Sequence, residues 1–109
     1  MEPPAAADHE GHRKRLRERF TRSGLDGFHD HEVLELLLSF VIPRRDVKPP
    51  AKALLKEIRT LAGVFDAPQS SLQGTPGVGP QAATLIAAVP RLFDRYQEDR
   101  WNRHDENKV

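Results

Sequence analysis

Between Asp30 and Val41 the chain reads DHEVLELLLSFV, and in it the polar residues Glu32, Glu35 and Ser39 recur at spacings of three and four. Every other position from Val33 to Val41 is apolar. That is the period of an α-helix with most of its circumference dry, so the segment predicts a helix at the centre of a domain, wrapped by other elements. Asp30 stands where a side-chain oxygen can cap the first free amides. Nowhere do apolar and polar residues alternate over more than a few positions, so no strand is expected beside it. The fold class that follows is all-α.

Glycine and proline punctuate the remaining helices. His12 to Phe20 carries Leu16 and Phe20 four apart on an otherwise basic helix, and Gly24 and Gly27 break it. Pro43 ends the central helix, and RRDVKPP connects it to the next. Two adjacent prolines fit only the first turn of a helix, where the amides have no partner anyway, so that helix starts near Lys48 and runs to about Arg59. Leu54, Leu55 and Ile58 form its inner face. Thr60 caps a short helix through LAGVFD, and Pro68 opens another through QSSLQ. Pro90 disfavours helical geometry at Val89, which predicts a kink or a fresh start. Leu92, Phe93, Tyr96 and Trp101 then face inward from a terminal helix. The expected core is Leu34, Leu37, Leu38, Val41, Leu54, Ile58, Leu61, Val78, Leu85 and Ile86.

At 109 residues the chain suffices for one domain with a modest core. Residues 1–10 read as a disordered leader, 11–102 as the helical domain and 103–109 as a disordered tail. Cysteine is absent, which excludes disulfides, thiolate metal sites and a cysteine nucleophile, and permits a cytoplasmic location. No apolar run approaches the roughly 20 residues that span a bilayer, and MEPPAAADHE lacks the pattern of a secretory signal. The formal net charge is +1, but the charges are blocked. Arg13, Lys14, Arg15, Arg17, Arg19 and Arg22 are opposed only by Glu18 between His12 and Arg22. A second basic block holds Arg44, Arg45, Lys48, Lys52, Lys56 and Arg59, whereas Asp66 is the single charge from Thr60 to Pro90. Such blocks form either a polyanion-facing surface or solvated helix faces. Arg44 and Arg45 have a structural alternative, salt bridges to Glu32 or Glu35.

The segment LQGTPGVGPQAATLIAAV, from Leu72 to Val89, combines a tight turn with a small-residue helix. Gly74 suits a left-handed helix end. Gly77 and Gly79 accept backbone angles that other residues resist, and Val78 between them can pin the turn to the core. Pro80 fits the first helical position with Gly79 as the cap. The amides of Gly79, Gln81 and Ala82 are then open to an anion, helped by the helix dipole. Ala82, Ala83, Ala87 and Ala88 allow close packing of a second helix.

This turn resembles the helix-hairpin-helix, a sequence-independent DNA-binding motif, at about residues 68–89. In order, GHRKRLRERF, GLDGFHDHEVLELLLSFVIPRRDVKPPAKALLKEI, LAGVFDA and TPGVGPQAATLI resemble the N-terminal domain of the RadC family, from about Gly11 to Leu92, with IPRRDVKP the most characteristic stretch. The resemblance implies a bacterial protein of a family long labelled as DNA repair, with a small helical domain that ends in the hairpin. In that family a metalloprotease-like JAB domain normally follows, with a His-x-His pair, a downstream Ser and Asp, and an upstream Glu. No such constellation follows the hairpin in these residues. His29 and His31 form an HDH, but at the start of a helix and ahead of the hairpin, so they read as polar residues around a cap and not as metal ligands. Relatives usually carry a serine in place of His29, boxed with Glu32, which leaves Asp30 to replace the cap. Many DNA-binding hairpins carry a lysine or arginine where this chain has Gln81, so binding through the turn alone is expected to be weak.

The functional expectation is a non-catalytic, sequence-independent DNA-binding module connected with repair or recombination. Gly77, Val78 and Gly79 shape the turn, the amides of Gly79 and Gln81 hold a phosphate, and Thr84 adds a hydroxyl one turn on. Arg13, Arg15, Arg17, Arg44, Arg45 and Lys48 supply a salt-dependent attraction to the phosphate backbone. The alternative is a protein-interaction module whose hairpin only connects helices. No catalytic residue, metal site or cofactor is expected, nor any membrane partner.

Overall fold

The computed structural model describes residues 5–107, with side chains described from residue 9 to 103. Among the described residues there are six helices and no strand: α1 (Ala5–Ser23), α2 (Asp30–Leu38), α3 (Lys48–Ile58), α4 (Leu61–Asp66), α5 (Gln69–Gln73) and α6 (Pro80–Asn107). The fold is all-α. Helix α1 starts at Ala5, so Ala5 to Glu10 of the expected leader are helical, and α6 carries Arg103 to Asn107 of the expected tail. Residues 1–4 and 108–109 of those two segments lie outside the described residues.

Helix α2 is the centre that its periodicity calls for, with Leu34, Leu36 and Leu38 buried. Its N-cap is His29 and not Asp30. The carboxylate of Glu32 reaches back to accept the His29 N–H at 3.0 Å, which satisfies one of the free amides at this end. The helix stops at Leu38, three residues before the expected end. There the Ser39 hydroxyl donates to the Leu36 carbonyl at 2.6 Å, and the amides of Phe40 and Val41 bond three residues back, to Leu37 and Leu38. This tighter turn unwinds the chain before Pro43 is reached.

Helix α3 begins at Lys48 with both prolines in its first turn, and the Lys48 N–H donates to Asp46 Oδ1 at 3.0 Å. It ends at Arg59 in the left-handed conformation, φ 79°. Thr60 caps α4 through a hydrogen bond from the Gly63 N–H at 3.0 Å, as its position predicts. Leu34 and Leu38 of α2 pack with Val47, Ala51 and Leu54, and Val64, Leu72, Val78, Ala82, Ala83 and Ile86 close the core. Val41, Ile58 and Leu61 lie partly buried against it. Leu37 and Leu85 are only half-buried.

Two expectations about the C-terminal region fail. Helix α6 runs without interruption through Pro90. A proline inside a helix costs one backbone bond and some crowding, about 3 kcal/mol, and the turns on either side carry the helix past it. Beyond Pro90 every described side chain of the helix is exposed, so Leu92, Phe93, Tyr96 and Trp101 lie in solvent instead of facing inward. The projecting helix gives the molecule a longest dimension of 67 Å.

Candidate nucleic-acid interface

The turn between α5 and α6 is built from the inside outward. Leu72 is fully buried, and the Thr75 N–H donates back to its carbonyl at 3.1 Å. Thr75 is itself buried, and its hydroxyl donates to Glu57 Oε2 of α3 at 3.0 Å, which ties the turn to a second helix. The Val78 N–H donates to the Thr75 carbonyl at 3.1 Å, and the Val78 side chain enters the core. Among the glycines of this turn, only Gly77 has a positive φ, at 86°. A Cβ built on it would lie 3.2 Å from Cβ of Pro50, so the start of α3 presses on the turn at this point.

Gly74 and Gly79 differ from expectation. Gly74 is right-handed at φ −71°, because the Thr75 and Leu72 bonds close the end of α5 without a left-handed residue. Gly79 has no positive φ, and a Cβ there would meet nothing within 4 Å. Its value is openness in front of a helix start. The Gly79 carbonyl accepts the Ala83 N–H at 3.0 Å, whereas no backbone acceptor serves the amides of Gly79, Gln81 or Ala82. These are the free N–H groups that a helix N-terminus presents to an anion.

A depression of about 250 Å³ lies against this helix start, lined by Val41, Ile42, Pro43, Arg45, Gly77, Gly79, Gln81 and Ala82. The loop after α2 therefore brings Arg45 to the depression beside the turn. That loop bends sharply: Arg44 takes φ 62°, and the Arg45 N–H donates to the Pro43 carbonyl at 2.8 Å. Arg13 of α1 fixes it from below. Its guanidinium donates from Nη1 to the Ser39 carbonyl at 2.8 Å and from Nη2 to the Arg45 carbonyl at 2.6 Å.

The expected site residues thus separate. Gly77, Gly79, Gln81 and Arg45 share one depression, and Val78 lies buried behind it. Arg44 is exposed on the same connector and Lys48 at the start of α3 that follows it. Arg13 is not a surface residue; at 3% exposure it acts as an internal clamp, and its charge faces carbonyls instead of solvent. Arg17 lies over the Phe40 ring, 5.8 Å from its centroid, and pairs with Glu10 at 3.4 Å. Arg15 is exposed on α1. The Thr84 hydroxyl is placed to donate to the Pro80 carbonyl at 2.8 Å or to Gln69 Oε1 at 3.2 Å, so it joins α5 to α6. Thr75 was missed by sequence reading, although a threonine beside the turn glycines was the available signal.

The structural alternative for Arg44 and Arg45 fails on its partners. Glu32 is taken by Arg19, with Nη1 to Oε2 at 2.6 Å. Glu35 is buried and accepts from His12 Nε2 and His31 Nδ1, each at 2.5 Å. So His12 ties α1 to α2 at a buried carboxylate, and His31 of the HDH braces that carboxylate from one turn away on α2 itself. Among the described residues no group of His, Asp and Glu is arranged to hold a metal ion, and no helix is long and apolar enough to cross a membrane.

Over 85 residues, 78% of its length, the chain is 44% identical to a UPF0758 protein of Fusobacterium nucleatum. It spans 37% of that relative's length. No family model matches the chain, and no solved structure matches it.

Proposed function

We propose that this chain, a UPF0758 homologue over most of its length, is a non-catalytic module that grips the phosphate backbone of DNA without reading its sequence. The observation that carries the reading is the shared depression lined by Arg45 together with Gly79 and Gln81, whose amides have no backbone acceptor. A phosphate oxygen held there would accept from the free amides, favoured by the positive end of the helix dipole, with the Arg45 guanidinium within reach as a further donor. None of these groups touches a base edge, so binding is indifferent to sequence. The side chains of Arg44 on the connector and Lys48 at the start of α3, both exposed, extend the attraction along the backbone. The resemblance to RadC proteins directs this proposal toward repair or recombination in the cytoplasm.

Gln81 hydrogen-bonds but carries no charge, and Glu57 stands on the far side of the turn against Thr75. Those two features favour the second reading, a protein-interaction module with the hairpin as connector. Titration of labelled duplex and single-stranded DNA at low salt, followed by fluorescence anisotropy, separates the two. Gly79→Val is expected to keep the fold, since the site has room, yet to weaken binding at least about tenfold by standing before the amides. Arg45→Ala is expected to weaken binding to all sequences alike, and Gln81→Lys to tighten it. Folded variants that all bind like the parent would leave TPGVGP as a connector only.

A further inference from the structure

We infer that this chain forms a two-fold dimer in which the projecting half of α6 from each copy lies in an apolar groove of the other. The groove, about 590 Å³, runs between α1, α2 and α4, and its walls include Phe20, Leu25, Leu37, Phe40 and Phe65. Val89 of α6 stands at its edge. From there Leu92, Phe93 and Tyr96 continue along one face of the helix, at the spacings of three, four and seven that share a side. One chain therefore carries a concave apolar surface and a convex apolar stripe that meet at Val89.

Phe20, Leu25, Phe40, Leu92, Phe93 and Tyr96 are each between 48% and 64% exposed. At roughly 150–250 Å² per large side chain, these six expose about 600 Å² on each copy, the upper end of apolar exposure on a monomer and a range in which such patches are often functional. A two-fold interface uses each patch twice, so about 1,200 Å² is covered, the lower bound for a specific pair. A foreign helix in the groove would leave the stripe in water, and a foreign groove on the stripe would leave the groove open. A second copy covers both at once. Helix α6 is continuous through Pro90, so a chain cannot seat its own stripe in its own groove without breaking that helix.

Sedimentation equilibrium of the full chain, from micromolar to millimolar concentration, tests this. The expected result is a mass that rises toward twice the chain mass. Phe40→Glu in the groove and Phe93→Glu on the stripe should each raise the dissociation constant at least about tenfold, and both residues are exposed enough for the charge to leave the helical circular dichroism unchanged. An equimolar mixture of the two variants should associate better than either alone, because one groove and one stripe remain intact. A single-chain mass at every concentration would overturn the proposal, whether the cause were fold-back at Pro90 or another partner. So would a dimer that neither substitution weakens.

Discussion

Gly77→Ala is expected to destabilise the fold by about 1–2 kcal/mol, while Gly79→Ala is expected to be neutral or slightly stabilising. The two glycines stand two apart in one turn, so composition and exposure to water hardly distinguish them. Backbone geometry does. Gly77 holds φ 86°, where an L-residue loses roughly 1–2 kcal/mol to the clash of its Cβ with the backbone. The new Cβ would also sit 3.2 Å from Cβ of Pro50, and a proline in the first turn of a helix has little freedom to retreat, which adds about 1 kcal/mol, the low end for an overpacked contact. Against this, alanine restricts the unfolded chain and returns roughly 0.4–1 kcal/mol. At Gly79 only that last contribution applies, because φ is ordinary and a Cβ meets nothing within 4 Å. The assay is urea unfolding followed by circular dichroism, with the midpoint shifting at constant slope. Melting temperature should fall by roughly 4–8 °C per kcal/mol for a domain of this size. A Gly77→Ala midpoint equal to the parent's, or an equal loss at Gly79→Ala, would refute the assignment of the strained position.

Three shorter expectations follow from the same structure. Arg19 and the His29 N–H hold the Glu32 carboxyl down from 4.5 to about 2, so the pair contributes stability above pH 4.5 that is lost as pH falls toward 2. The pair is solvated, so the effect is modest, and Glu32→Gln should flatten that stretch of a stability-versus-pH curve. Arg13→Ala removes two charge-assisted bonds and strands the carbonyls of Ser39 and Arg45, at a cost of about 3 kcal/mol, whereas a change under 1 kcal/mol in chemical unfolding would remove its role as clamp. Leu38→Asp should unfold the domain, while Leu37→Asp should leave helical circular dichroism intact, since only Leu38 is sealed in the core.

The leucine pair shows what the sequence could and could not convey. In LELLLSFV the helical period is unmistakable, but a run this apolar does not say which leucine turns inward, because burial depends on where neighbouring helices lie. Leu36 is buried and Leu37 lines the open groove, the reverse of the expected order. Adjacent prolines at Pro49 and Pro50 and the cap at Thr60 were legible because their chemistry is local. The continuity of α6 was not: a proline biases the residue before it, and strong helix formers on both sides outweighed that bias. The buried carboxylate of Glu35 left a trace, an acid set among Leu34, Leu36, Leu37 and Leu38, but its histidine partners lie on two helices. Arg13 left one too, three residues before Leu16 and seven before Phe20, on the apolar side of a basic helix.

The fate of the two basic blocks decides how strongly this molecule can hold DNA. In α1 most of the charge is engaged internally: Arg13 binds carbonyls, Arg19 binds Glu32 and lies 4.3 Å from the Phe28 ring centroid, Arg17 pairs with Glu10, and Lys14 stands 3.9 Å from Glu18. On the connector and at the start of α3, Arg44, Arg45 and Lys48 have no carboxylate partner among the described residues. Three cations and one phosphate nest on the connector side imply two or three neutralised phosphates for each copy. Each contributes about −0.9 to the slope of log affinity against log salt on duplex DNA, so the slope per copy should lie between about −2 and −3. Arg44→Ala with Arg45→Ala should bring it close to −1. The measurement is a series of anisotropy titrations at stepped salt, on a duplex short enough to hold one copy. A slope steeper than about −5 would require phosphates at the α1 block. Arg15 and Arg22, exposed on α1 and without a carboxylate partner among the described residues, would be the first of that block to reach them, and the connector would not be the main phosphate-facing surface.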